Sequence, residues 1–181
     1  MVLLFFRWLD IGSGGLGRIS VEIIGADGLP NKDKDIPGGG NKTDPFAAVV
    51  YEDCVAKTDT IDDCLSPRWM PWTQRAFIFR MMHVSSNLHV AIFDYDPGFA
   101  SDHDICGRVS IDLANFLPDT EYLLKYNLYE NSVSHDREPK GTITLRLRMS
   151  LKPEKELILS YLQPPPEFYV NVKGPKDFDM A

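Results

Sequence analysis

The chain has 181 residues and a mass of 20.5 kDa, enough for one large domain or for one domain with a tail. Hydrophobic residues make up 44%, charged residues 25% and aromatic residues 11%, which excludes wholesale disorder, collagen-like repeats and a disulfide scaffold. Lys and Arg number 19 against 26 Asp and Glu, a net charge of -7, and this excludes a general nucleic-acid binder, which needs clustered cations for phosphate.

The apolar run from Met1 to Phe6 is stopped by Arg7. It is too short for a signal-peptide core or a spanning helix. Residues 1–17 are expected to supply an extra strand or a linker, ending in the glycine-rich stretch Gly12 to Gly17. From Arg18 to Gly25, Ile19, Val21 and Ile23 alternate with Arg18, Ser20 and Glu22, the period of a half-buried strand. A long polar loop with Pro30, Pro37 and three consecutive glycines runs to Thr43. Phe46 to Tyr51 reads as a buried strand and Val55 to Thr60 as a short one. Gln74 to Met81 follows, with Phe77 and Phe79 on one face, and then Asn87 to Asp94. A second polar loop spans Asp94 to Asp104. Ile105 to Ile111 is a strand, Asp112 to Leu117 one helical turn, and Tyr122 to Leu128 and Thr142 to Met149 complete the set.

Eight short strands at turn-punctuated intervals predict an all-β, eight-stranded antiparallel β-sandwich over residues 18–150. Residues 151–181 are expected to be a non-globular C-terminal extension, a linker or docking strap. Lys152 to Leu162 reads as a short helix or an extended strap, and Pro164 to Pro166 forces polyproline geometry. A sandwich gathers its loops at the two ends of the sheets, so the two long Asp-bearing loops are candidates to meet.

Asp94, Asp96, Asp102 and Asp104 are four carboxylates within eleven residues, with no Lys or Arg among them. Two such groups at about 5 Å repel by roughly 3 kcal/mol at an effective dielectric of about 20. A cluster like this persists when the charges point apart into water, when some take up protons, or when a cation fills the gap. Oxygen-only ligands select a hard cation, and flexible loops with many carboxylates favour calcium over magnesium. The first loop adds Asp33, Asp35 and Asp44, with Asp27 a further candidate. Any single Asp among them is also an ordinary turn former.

Several blocks in fixed order then resemble a known family. Ala26-x-x-Leu29-x-x-x-Asp33 followed by Thr43-Asp44-Pro45-Phe46 is similar to the first calcium loop of C2 domains. Lys57-Thr58, Leu65-Ser66-Pro67-x-Trp69 and the strand Phe77-x-Phe79 continue the resemblance. Phe93-Asp94-Tyr95-Asp96, then Asp104-Ile105-x-Gly107, is similar to the third loop. The blocks span residues 18–149. The resemblance implies a sandwich that holds two or three calcium ions between its loops and docks on phospholipid when calcium is bound. Asp33 and Asp44 match the first-loop ligands, Asp94 and Asp96 the paired third-loop ligands, and Asp104 the last one. The gaps between Asp33 and Asp44 and between Asp96 and Asp104 are both longer than the family's usual spacing, so Asp102 is an alternative to Asp104. A strand leading straight into the first loop, with Gly141 to Met149 closing the domain, is similar to the permuted, phospholipase-like topology. The other permutation follows if residues 2–9 supply the opening strand.

The resemblance further implies a module at the cytosolic face of a membrane, cytoplasmic and peripheral, with anionic phospholipid as partner. It would target a larger protein carrying other domains, and it has no catalytic role. Ile36 and Phe99 sit near the tips of their loops and are the candidates for shallow membrane insertion. The competing reading is a calcium-independent C2 scaffold for protein–protein interaction, motivated by the irregular loop lengths.

Other motifs carry less. Asp33-x-Asp35-x-Pro37-Gly38 with Asp44 mimics an EF-hand loop, but Pro37 offers no side-chain oxygen and the flanks are strand-like. Gly12-x-Gly14-x-x-Gly17 matches a dinucleotide fingerprint in letters, yet a strand follows where a helix is required. Cys54, Cys64 and Cys106 are odd in number and lack a C-x-x-C, which fits a reducing compartment. His103 is expected to be solvated. Trp69 and Trp72 are expected to pack in the core and at an edge. The stretch Lys57 to Asp63 lacks the basic residues of a phosphoinositide pocket.

Overall fold

The computed structural model describes residues 8–33, 42–96, 103–130 and 138–162. In chain order the strands are β1 (Leu9–Ile11), β2 (Gly17–Asp27), β3 (Pro45–Tyr51), β4 (Cys54–Lys57), β5 (Ala76–Met81), β6 (Leu88–Asp94), β7 (Ile105–Ile111), β8 (Glu121–Asn127) and β9 (Thr142–Leu151). Among the described residues one 3-10 turn, Leu113–Asn115, is found, and it follows β7. They form two sheets, ordered β1-β5-β2-β9-β8 and β4-β3-β6-β7.

Alternation places the core. Ile19, Val21 and Ile23 of β2, Phe77, Phe79 and Met81 of β5, and Ile143, Leu145 and Leu147 of β9 are fully buried from one sheet. Ala47 and Val49 of β3 and Leu88, Val90 and Ile92 of β6 meet them from the other. Each large apolar side chain removed from water stabilises the fold by about 1.5–3 kcal/mol. Trp69 joins this core, its Nε1 donating to the Asp59 carbonyl at 2.7 Å. Trp72 does not: it is 69% exposed.

The described residues hold nine strands rather than eight. The extra one, β1, runs parallel to β5 at the sheet edge, with Leu9 opposite Phe77 and Ile11 opposite Phe79. Arg80 Nε and a terminal nitrogen clasp both Asp10 oxygens at 2.9 and 2.8 Å. Leu9–Ile11 is therefore not the opening strand of the sandwich. That place beside β2 belongs to β9, whose Thr142 lies opposite Asp27 and Leu151 opposite Gly17, so the permuted order holds.

The glycine-rich stretch has a packing cause. A Cβ on Gly14 would lie 2.1 Å from the Met81 carbonyl carbon, and one on Gly17 would lie 2.4 Å from the Ser150 oxygen. No helix follows it, so the dinucleotide letters mark a close backbone crossing. Gly107 is similar: a Cβ there would lie 2.8 Å from Cβ of Leu128, which is fully buried. We expect Gly107→Ala to cost about 1–3 kcal/mol by overpacking. Urea unfolding tests this, and an unchanged midpoint would show that β7 gives way freely.

The registers fix which loops share an end. Asp27 faces Thr142 and Pro45 faces Asp94, so the connections 28–44, 58–75 and 95–104 all leave the sandwich at that end. The opposite end is closed by Glu52, whose carboxylate accepts the N–H groups of Met82 (2.9 Å) and His83 (2.6 Å) and the Ser86 hydroxyl (3.2 Å).

Residues 1–151 form one compact unit and residues 152–181 a second. In the second, α1 (Glu154–Leu162) is a helix whose first turn carries Glu154 and Glu156, where acidic groups suit the positive end of the helix dipole. Of the two expectations for Lys152 to Leu162, helix is the one found. Among the described residues, no helix is long and apolar enough to cross a membrane.

Candidate metal-binding loops

The acidic residues converge because strand ends deliver them. Asp44 precedes β3 and Asp94 ends β6, and the two strands are paired. The Asp44 N–H donates to Asp94 Oδ1 at 2.6 Å, and the Tyr95 N–H donates to the Asp44 carbonyl at 3.0 Å. The Asp94 N–H donates in turn to the Asp104 carbonyl at 2.8 Å. One backbone ladder thus links the first-loop Asp44 to both ends of the third loop. Asp94 is 1% exposed.

Electrostatics shows how the acids sense one another. The Asp33 carboxyl is raised above its ordinary range, first by desolvation and then by the negative charges of Asp44, Asp96, Asp63 and Asp104. Burial likewise raises the Asp94 carboxyl, with the charges of Asp33, Asp96 and Asp44 adding to it; the Asp44 N–H works the other way. The Cys106 thiol is pushed up to about 12 by burial and by the charge of Asp94. It stays a thiol at neutral pH and is a poor metal ligand. Lys32, near the loops, turns its ammonium to Glu130 at 3.2 Å.

Asp33, Asp44, Asp94, Asp96 and Asp104 therefore lie at one end of the sandwich, within electrostatic reach. Asp35, Asp102, Ile36 and Phe99 lie outside the described residues. Asp27 is a different case. Arg68 and Lys125 both hold its carboxylate, which keeps it below the usual range and removes it from the candidate ligands. Among the described residues, no three His, Cys, Asp or Glu side chains are grouped as a finished metal cage. The donor set itself, all carboxylate with two acids raised by desolvation and crowding, suits a hard divalent cation.

Two participants escaped sequence reading. Asp63 lies in the connection 58–75, the second loop at this end, between the first loop 28–44 and the third loop 95–104. With a left-handed φ of 52°, it donates its N–H to Asp44 Oδ1 at 2.6 Å, and its carboxylate accepts the Lys42 N–H at 2.9 Å. The acidic run Asp59, Asp62, Asp63 was its only signal. His103 is not simply solvated. Its Nδ1 accepts the Asp96 N–H at 3.2 Å, and its ring centroid lies 5.2 Å from those of both Phe46 and Tyr95. The histidine thereby braces the two ends of the third loop.

The family model for the C2 domain matches residues 17–128. No curated protein sequence matches the chain. Among solved structures, a C2 domain of a plant Extended Synaptotagmin 1 aligns with a TM-score of 0.61 and 20% identity, covering 78% of this chain and 100% of that one. A calcium-bound structure of two C2 domains of Extended-Synaptotagmin 2 aligns with a TM-score of 0.60 and 24% identity, over 76% of this chain and 47% of that one. Human GIVD cytosolic phospholipase A2, solved with an inhibitor and terbium chloride, aligns with a TM-score of 0.57 and 19% identity. That alignment covers 78% of this chain but spans only 18% of the phospholipase. At these identities the likeness is one of fold.

Proposed function

The chain belongs to the C2 domain family, and on that premise we propose that it docks on anionic phospholipid membranes in a calcium-dependent way. Asp33, Asp44, Asp94, Asp96 and Asp104 would hold two or three calcium ions, with Asp102 the alternative to Asp104. The observation that carries this reading is the convergence of acids at one end of the sandwich: the Asp44 N–H donates to Asp94 Oδ1, the Asp94 N–H donates to the Asp104 carbonyl, and the Asp33 and Asp94 carboxyls are raised, first by burial and then by neighbouring acids. Carboxylates held in that way bind a cation in exchange for protons and repulsion. The calcium-bound state of the Extended-Synaptotagmin 2 neighbour supports it as a fold-level analogy.

Before binding, the acidic loops repel an anionic leaflet. Bound calcium supplies positive charge and coordination positions that lipid phosphates complete. Ile36 and Phe99 would then enter the interface and carry a larger protein to the cytosolic face of a membrane. The role is binding, and the acids do no catalysis.

Sedimentation with phosphatidylserine-containing vesicles tests the proposal. We expect the chain to pellet with vesicles in millimolar calcium and to stay in the supernatant in EGTA. Phe99→Ala should weaken vesicle binding while leaving calcium affinity in solution nearly unchanged; equal loss of both would remove the insertion role. Equal vesicle binding in EGTA and calcium would leave the calcium-independent reading in place.

A further inference from the structure

Ten residues separate Asp33 from Asp44, yet the two remain in mutual electrostatic reach. The hydrogen bonds at the loop base supply the reason. Thr43 is fully buried, and its hydroxyl donates to the Pro30 carbonyl at 2.9 Å while accepting the Lys32 N–H at 2.9 Å. The Asn31 side-chain oxygen accepts the Asp33 N–H and the Thr43 N–H, both at 3.2 Å. Each side of the base is thus bonded to the other through one hydroxyl and one amide oxygen. The Thr43 carbonyl also accepts the Cys64 N–H at 2.9 Å, which brings in the second loop. Residues 30–33 and Thr43 are thus tied together at the loop base.

We propose that Thr43 and Asn31 are positioning residues for calcium: together they latch the base of the first loop and hold the backbone of Asp33 beside that of Asp44. This rests on the calcium-dependent reading above. Neither residue is assigned as a ligand. Their contribution is to fix in advance the spacing of two ligands that would otherwise have to be gathered against their own repulsion, so that binding does not have to order the loop base. A valine at position 43 fills nearly the same space but can neither donate to Pro30 nor accept from Lys32.

The test is calorimetric titration of the wild-type chain, Thr43→Val, Thr43→Ser and Asn31→Ala with calcium chloride, alongside thermal unfolding of each in EGTA. The expected result is a calcium affinity weakened about tenfold or more in Thr43→Val and in Asn31→Ala, and kept within about threefold of wild type in Thr43→Ser. A hydroxyl that served stability alone would lower the EGTA melting point of Thr43→Val and leave its calcium affinity unchanged, and that outcome overturns the latch. So does a Thr43→Ser as weak as Thr43→Val. If Thr43→Val does not fold, Asn31→Ala decides by the same criterion. A wild-type chain that takes up no calcium overturns the functional reading at the first step and the latch with it. Wild-type affinity retained in folded Thr43→Val and Asn31→Ala overturns the latch alone.

Discussion

In millimolar calcium the chain should unfold well above its midpoint in EGTA, and Asp94→Asn should abolish the rise. A ligand that binds only the native state at about 100 times its dissociation constant adds about 2.7 kcal/mol. For a domain of this size that corresponds to roughly 5–10 °C. Asp94→Asn is the informative variant, because an asparagine oxygen still accepts the Asp44 N–H that Asp94 accepts now. The variant removes charge and keeps the ladder. In EGTA it should melt at or above the wild type, since a buried acid crowded by Asp33, Asp96 and Asp44 opposes folding when charged.

The pH dependence follows with a definite sign. Asp33 and Asp94 bind protons more tightly in the folded chain than in the unfolded one. Their charged forms therefore weaken the fold at neutral pH, and this penalty is relieved as pH falls through their raised folded values. Asp10 and Asp27 are lowered by their arginine and lysine partners, so their stabilisation is present above the ordinary carboxylate range and is lost below it. Metal-free melting should hold or rise from pH 7 toward pH 5, while the calcium increment shrinks as protons compete for the same oxygens. A calcium increment absent at pH 7, with and without vesicles, would remove the metal reading.

Much of this arrangement is legible in the sequence because it depends on period and order. Ile19, Val21 and Ile23 announce a strand with one buried face, and Asp94 and Asp96 announce a loop that must settle its charge. What the sequence hides are contacts made across long separations. His103 reads as a solvated loop residue until Phe46, brought in by β3, meets its ring. Asp27 reads as one more loop carboxylate until Arg68 and Lys125 reach it from two other connections and strands. Gly12 to Gly17 reads as a motif in letters, because nothing local reports that Met81 lies against Gly14. Glu22 misleads most. Alternation assigns it to the polar outer face of β2, yet it is 3% exposed.

Removing Glu22 should be among the most damaging single changes in the sandwich. Its two oxygens meet Arg75 at 2.5 Å and Arg146 at 2.7 Å, and Arg146 also reaches Glu121 at 3.3 Å. Arg75 is largely covered, and its Nε finds no hydrogen-bond partner among the described residues. Glu22 is thus the carboxylate that neutralises a guanidinium with little access to water. Removing one partner of a buried pair typically costs about 3–5 kcal/mol, whereas replacing both by apolar groups is often close to neutral. Since Arg146 is about half exposed, Glu22→Ala should fall near the lower end, about 3 kcal/mol, seen as an early urea midpoint. Glu22→Leu combined with Arg75→Met should recover much of that loss. The consequence reaches the loops as well. Arg75 donates to the Trp69 carbonyl, and Trp69 donates to Asp59, so this buried charge anchors the second loop, whose Asp63 meets Asp44. Glu22→Ala should therefore lose part of its calcium increment as well as its stability. A loss below about 1 kcal/mol would mean that water already reaches Arg75, and that the second loop is held by Trp69 packing alone.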